Sequence, residues 1–355
     1  MLQGSEKFVP DFKIEIGGVE QKDLIDDLIR IEVEDSIDNP SMFSLVLEDE
    51  DSRWMDSSLL NPEIGGDVRI YMGYVGDKLS LMITGKIVAL NSDFPSEETQ
   101  NLTVQGYDHS FFLQKTHSLE SPSALKGRDI SSLASMIASK NHLTCQISDT
   151  GIKYSDIVLI SPGESDYSFL RKMADMAGFE FFVRDRVLHF KKPEYSGNAI
   201  ALSWGEDISS MNFRMSTARA VKRATILGYN PMDKKSYLSE KKEGRYGIFP
   251  GKPASQYLAS SEFESQILEQ NVILNSKADI DILGAALIDR ANNSFVEGEC
   301  EILGDSSIMA GRPVKINGAG KRFSGSYYVK SARHTIGEEG YVLRLDLMSM
   351  VAQNV

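Results

Sequence analysis

The sequence predicts a mainly β protein with an α/β insertion: two related antiparallel β-barrel domains, a small α/β domain between them, and assembly into a ring. Three observations carry this reading. The first 113 residues break into short alternating runs, two periodic helices with a hairpin then interrupt them, and a Gly–Val–Ile pattern near residue 65 returns near residue 310.

The early runs are FKIEIGG, LIRIEVE, FSLVLED, DVRIYMG, SLMITGKIVAL and NLTVQGYD, separated by Gly, Asp, Asn and Pro. In LIRIEVE, Ile29, Ile31 and Val33 share one face, with Arg30, Glu32 and Glu34 on the other. In FSLVL the shared face is Phe43, Leu45 and Leu47. So many short strands, with edges to protect, predict a sandwich or closed barrel, here a first barrel over residues 1–118.

The pattern changes at Lys115 to Pro122. GRDISSLASMIASKNHL places Ile130, Leu133, Ile137 and Ala138 on one helical stripe. DYSFLRKMADMAG does the same with Phe169, Leu170, Met173, Ala174 and Ala177, and Gly178 follows as a left-handed stop. FEFFVRDRVLHFKKP reads as a hairpin turning at Arg184 to Arg186, completing an α/β domain over residues 119–197 in which the helix packs on the hairpin.

Strands resume with AIALSWG and KRATILGYN, opening a second barrel over residues 198–355 with an inserted loop and helix region at about 231–293. Pro231 to Glu262 has no period and reads as an extended loop. SKADIDILGAALIDRANN reads as a helix with Ser276 and Asp279 as its capping box and Ile280, Leu283, Leu287 and Ile288 on its apolar side. Four strand candidates close the chain.

Gly65, Val68 and Ile70 answer to Gly311, Val314 and Ile316. Each run is followed by a further glycine, Gly85 or Gly325, and by an acidic turn pair, Glu97-Glu98 or Glu338-Glu339. The repeat implies two similar units per chain, so that three chains would make a ring of six.

Composition bounds the function. An apolar fraction of 41 % with 25 % charged residues describes a soluble globular protein, and no apolar run is long enough to span a bilayer. The N-terminus lacks the basic and apolar regions of a secretion signal, which places synthesis and first use in the cytoplasm. The net charge is -13, and residues 1–60 hold 16 Asp and Glu against 5 Lys and Arg. That sign argues against stable nucleic-acid binding, while an acidic wall would let DNA pass without sticking. Cys145 and Cys300, far apart and without a CxxC partner, read as two buried thiols.

No catalytic, cofactor-binding or metal-binding residue is assigned. His109 adjoins Asp108, but neighbours in a strand point to opposite faces. His117 and His142 fall in linker and helix-end contexts, and His189 sits on a hairpin face opposite Leu188 and Phe190. Ser161, Glu164, Ser165 and Asp166 precede a helix, where an N-cap explains them. His334, in YYVKSARHTI, shares a face with Tyr328, Lys330, Ala332 and Ile336 and reads as a structural hydrogen-bonding residue at a strand end rather than a general base.

The order of GESDYSFLRKMADMAGFEFFVRDRVLHF, AGRPVKINGAG and SGSYYVKSARHTI, with Gly325, Tyr328, Val329 and His334 in sequence, resembles the phage late control D family. That family includes baseplate hub proteins of contractile tails and the hub portion of type VI secretion spike proteins. The resemblance implies a non-enzymatic homotrimer with no cofactor, a trimeric adaptor joining a hexameric tail tube to a trimeric spike. It places the protein first in the bacterial cytoplasm and then in a virion baseplate or injection particle. The chain ends at Val355 without a needle pattern or a lysozyme-like segment, so the spike is expected as a separate polypeptide, and the tape-measure protein is a further implied neighbour. The alternatives are the hub of a non-viral injection or secretion system, a tail-associated glycan hydrolase, and a carbohydrate-binding sandwich.

Overall fold

The computed structural model describes residues 9–60, 67–95, 99–118, 128–152, 163–195, 197–230, 233–245, 249–258, 264–273 and 276–352. The first part contains β1 (Pro10–Ile16), β2 (Val19–Glu20), α1 (Lys22–Asp26), β3 (Leu28–Ser36), β4 (Met42–Glu48), β5 (Val68–Tyr74), β6 (Ser80–Asp93) and β7 (Asn101–Asp108). Phe43, Leu45 and Leu47 are fully buried, as their alternation predicts. Ile31 and Val33 join them, but Ile29 is 40 % exposed: a bulge between Leu28 and Arg30 turns it out of the core. Gly106 on β7 sits where a Cβ would run into the Phe43 ring and the Lys86 carbonyl, so close strand packing requires glycine there.

The α/β part is α2 (Ile130–Lys140), β8 (Thr144–Ile147), α3 (Asp166–Ala177), β9 (Glu180–Arg184) and β10 (Val187–Lys191), with sheet order β8-β10-β9. Ser165 caps α3 and Gly178 ends it at φ 65°, where a side chain would be strained. Asp185 and Arg186, at φ 46° and 59°, form the two-residue hairpin turn. Phe169, Leu170 and Met173 share a core with Phe181, Leu188 and Phe190, as the helix periodicity predicts. Cys145 is exposed on β8, which corrects the expectation of two buried thiols; Cys300 is buried. Among the described residues β8 pairs on one side only, with β10, and Thr144, Cys145 and Gln146 all lie open to solvent.

The remainder is β11 (Ile200–Ser203), β12 (Ile208–Met215), β13 (Arg223–Asn230), β14 (Lys235–Lys241), β15 (Lys252–Pro253), α4 (Ala254–Leu258), β16 (Gln266–Ile273), α5 (Lys277–Asn292), β17 (Val296–Leu303), β18 (Pro313–Asn317), α6 (Gly320–Phe323), β19 (Gly325–Gly337), β20 (Gly340–Ser349) and β21 (Val351–Ala352). The capping box of α5 forms between Ser276 and Asp279 as predicted, and Ile280, Leu283 and Ile288 pack on the sheet β14-β13-β16. The stretch from Pro231 to Glu262 is not an extended loop. It holds β14, β15 and α4, although residues 231–232, 246–248 and 259–262 lie outside the described residues. Strand β14 escapes a hydrophobic reading because KSYLSEK turns only Tyr237, Ser239 and the Lys241 stem toward α5.

The two predicted barrels are not barrels. One 13-stranded sheet runs β12-β17-β20-β19-β3-β4-β7-β6-β5-β1-β2, with β18 and β11 branching from β19. Strand β3 carries β4 on one edge and β19 on the other, from Ser331↔Ser36 to Ile336↔Ile31. No edge of β3 is left to receive β1, so the first sheet curls around its core without closing. In the second half β11 and β12 meet only through an isolated bridge, Trp204↔Ile208.

The internal repeat holds at the level of topology. With the two-residue β2 set aside, the orders β3-β4-β7-β6-β5-β1 and β12-β17-β20-β19-β18-β11 are the same permutation of six successive main-sheet strands. Val68 pairs with Gly85 as Val314 pairs with Tyr327, which aligns β6 with β19. In that alignment the β6 bulge between Ile87 and Ala89 falls on the β19 bulge between Val329 and Ser331. Likewise the β3 bulge between Leu28 and Arg30 falls on the β12 bulge between Ile208 and Ser210. Gly85 and Gly325 are not equivalent, because Gly85 lies inside β6 and Gly325 begins β19. Gly65, Glu97 and Glu98 lie outside the described residues.

Candidate functional site

The join between the two halves is the feature around which charged side chains gather. Strands β12, β17, β20, β19 and β3 bury one face and leave the other open. On the open face Glu32, Glu34, Glu297, Glu299, Glu301 and Asp346 stand among Arg30, Arg214, Arg333 and Arg344. Arg333 bonds Glu34 at 2.6 Å across the β19–β3 seam, Arg30 bonds Glu32 at 2.7 Å, and Arg344 bonds Glu301 at 2.8 Å. Glu299 stands directly opposite Asp346, whose carboxylate accepts from the Ser331 hydroxyl. A depression of about 580 Å³ lies here, lined by Asn212, Glu299, Glu301, Ser331, Arg344 and Asp346 among others. A flat, ion-paired sheet face of this kind suits contact with solvent or a polar partner, and its two extra carboxylates make it mildly acidic. Five further exposed acids of the first 60 residues, Asp23, Asp26, Glu48, Glu50 and Asp51, lie where α1 meets the end of β4, and Glu20 and Asp56 are exposed as well.

Behind the seam the α/β part is clamped in place. Arg184 bonds Asp35 of β3 at 2.6 Å and the Ala310 carbonyl at 3.3 Å. Arg186 pairs with Asp67 at 2.7 Å, and Thr84 donates to Asp185 at 3.0 Å. Burial alone would raise the Asp67 carboxyl, but Arg186, His109 and Lys86 hold it below its ordinary value. Because β9 is covered on both faces, Glu180 is buried, and it accepts a hydrogen bond from the Tyr328 hydroxyl at 2.9 Å. Burial pushes its carboxyl up to about 7. A second depression of about 520 Å³ opens beside it, reaching Arg171, Asp289 and Lys330.

The structure keeps the histidines apart. His109 lies 3.5 Å from Asp67, His117 donates from Nδ1 to the Glu164 carbonyl at 3.0 Å, and His142 follows α2 at φ 56°. His189 stacks on Phe182, and burial lowers its imidazole to about 4. His334 is fully buried within β19, not at a strand end. Its Nε2 donates to the Ile308 carbonyl at 3.1 Å and its Nδ1 accepts from Tyr341 at 2.9 Å. Only a protonated Nε2 satisfies both, since a carbonyl cannot donate. The bulge at Lys330 also reverses the alternation read from the sequence. Tyr327 and Val329, not Tyr328, share the inner face with Ala332, and Tyr328 turns to a separate cluster with Phe182 and Phe249. Of the residues read as leading into α3, Ser165 is the cap, while Asp166, the first residue of the helix, is buried and accepts from Thr116, Ser118 and Asn141; Ser161 lies outside the described residues. The clamp residues Arg184, Asp35 and Glu180 were missed, because a pairing across some 150 positions leaves no local pattern. Among the described residues no cluster of three or more His, Cys, Asp or Glu could hold a metal ion, and no helix is long and apolar enough to cross a membrane.

The fold so assembled resembles that of solved phage tail proteins. The 43 kDa tail protein of prophage MuSo2 from Shewanella oneidensis superposes with a TM-score of 0.70 at 13% identity, covering 95% of this chain and 98% of that one. A tail protein from Neisseria meningitidis gives 0.70 at 13% identity, over 96% of this chain and 97% of the other. The E. coli c3393 protein, a type VI secretion component described as similar to the T4 tail proteins gp27 and gp5, gives 0.57 at 12% identity, over 97% of this chain and 79% of that one. The likeness to tail and type VI secretion proteins read from the sequence therefore holds at the level of fold. Residues 6–338 match the family described as the Alg8 N-terminal domain, and the chain belongs to that family. No curated protein matches the sequence.

Proposed function

We propose that this chain is the structural hub of a contractile tail or related injection machine, a homotrimeric ring joining a hexameric tail tube to a separate trimeric spike. The observation that carries the proposal is the duplicated sheet unit: two units of one strand order per chain would present six quasi-equivalent positions from three chains. Such a ring can face a sixfold partner on one side and a threefold partner on the other. The full-length likeness to tail proteins supports the same reading. Division into residues 1–118, 119–197 and 198–355 is proposed as the functional layout, with the tube, the spike and the tape-measure protein as neighbours. The likeness to a secretion component favours a second reading, the hub of a non-viral machine, and the neighbouring genes separate the two.

Light scattering combined with negative-stain imaging tests the proposal. Three chains of 39.4 kDa should give particles of about 118 kDa with threefold symmetry and a central hole. Monomer alone at tens of micromolar counts against it.

A further inference from the structure

Among the described residues one strand pairing joins the two units within the chain: the C-terminal half of β19 pairs with β3. The strands equivalent to these are β6 and β12, and both have the matching edge open among the described residues. Strand β6 pairs with β5 only as far as Gly85, so that beyond Lys86 its ladder partner is β7 alone. Beyond the Trp204↔Ile208 bridge at its start, β12 pairs with β17 alone. One chain therefore carries a made joint and the two separated halves of a second.

We infer that the second joint is made between copies: the end of β6 in one protomer pairs antiparallel with β12 of the next. The aligned bulges fix the register. Ser331 aligns with Ala89 and Val33 with Phe213, so the pairs Ala332↔Asp35, Arg333↔Glu34 and His334↔Val33 become Leu90↔Met215, Asn91↔Arg214 and Ser92↔Phe213. Phe94 takes the place of Ile336, opposite Met211.

Side-chain character agrees with this register. Ile336 is 7 % exposed within the chain, whereas Phe94 is 64 % exposed, a large apolar side chain left uncovered where its counterpart is covered. Met211, Phe213 and Met215 alternate as the half-buried residues of β12, on the face that would meet Leu90 and Phe94. On the opposite face Arg214 would stand beside Asn91 and diagonal to Asp93, an opposite-charge pair like Arg333 with Glu32 and Glu34 in the existing joint. The contact is head to tail, so it joins unlike edges and propagates until the ring closes. It also gives both edges the pairing that exposed strands otherwise seek from wrong partners.

The inference rests on the reading of the chain as a ring-former, and the test keeps the two apart. In full-length protein with the exposed Cys145 replaced by Ser, Asn91→Cys combined with Arg214→Cys should give covalent dimers and trimers with a short thiol cross-linker. Asn91→Cys with Ser210→Cys, four residues off register, should not. Separately, Arg214→Glu should raise the concentration for half-assembly about tenfold, and adding Asp93→Arg should bring it back. An oligomer of unchanged mass in which the first pair fails to link and Arg214→Glu has no effect overturns this joint and leaves the ring standing. A parent protein that remains monomeric at tens of micromolar overturns both.

Discussion

The imidazole of His334 is fully buried and satisfied on both nitrogens, donating to the Ile308 carbonyl and accepting from Tyr341. Replacing it with Ala strands a carbonyl and a hydroxyl in the core and opens a cavity, which together should cost about 3–5 kcal/mol near pH 7.5. The effect should depend on pH in a defined direction. Burial lowers the folded-state imidazole from 6.5 to about 4. Between those values the unfolded chain binds a proton that the folded chain refuses. Stability from the neutral ring is thus complete above pH 6.5 and is lost as pH falls through 4, a change of about 3 kcal/mol. The Ala variant lacks that loss, so its deficit should shrink to about 1 kcal/mol near pH 4. Urea unfolding of both proteins at a series of pH values measures the gap. A deficit below 1 kcal/mol at pH 7.5, or one that stays constant down to pH 4, refutes the buried neutral imidazole.

Glu180 should act in the opposite sense. With its carboxyl raised from 4.5 to about 7, its own contribution to stability is complete below 4.5 and falls by about 3 kcal/mol as pH rises through 7, a loss that Glu180→Gln should remove; parallel pH curves for variant and parent would count against it. Leu170→Asp should destabilise by about 4 kcal/mol or more, because the side chain is fully buried against the β9–β10 hairpin and a carboxylate there has no partner; an unchanged melting temperature would show the position to be exposed. Duplex DNA should bind weakly at physiological salt, given the net charge of -13 and the surplus of carboxylates on the open sheet face; submicromolar, salt-sensitive binding would reverse that account.

Elements whose causes are local could be read from the sequence. The cap of α3 at Ser165, its stop at Gly178 and the Ser276–Asp279 capping box lie within a few residues of what they control. The buried face of Phe43, Leu45 and Leu47 follows from simple alternation in an unbulged strand. The pairing of Val68 and Ile70 with Val314 and Ile316 was enough to suggest a duplicated unit, and the shared strand order bears that out. Bulges were beyond reach: one extra residue at Ile29 or Lys330 reverses which side chains face inward, and neither position is marked by composition. The polar strand β14 was invisible for a related reason, since its inner face is covered by α5 with few large apolar side chains of its own. Whether each sheet closes depended on an edge. Strand β3 could have paired with β1 to make a barrel, but β19, some 300 residues away, occupies that edge. Backbone hydrogen bonds carry no residue identity across such a distance, so alternation could predict the strands and the repeat while only the tertiary structure could decide which edges meet.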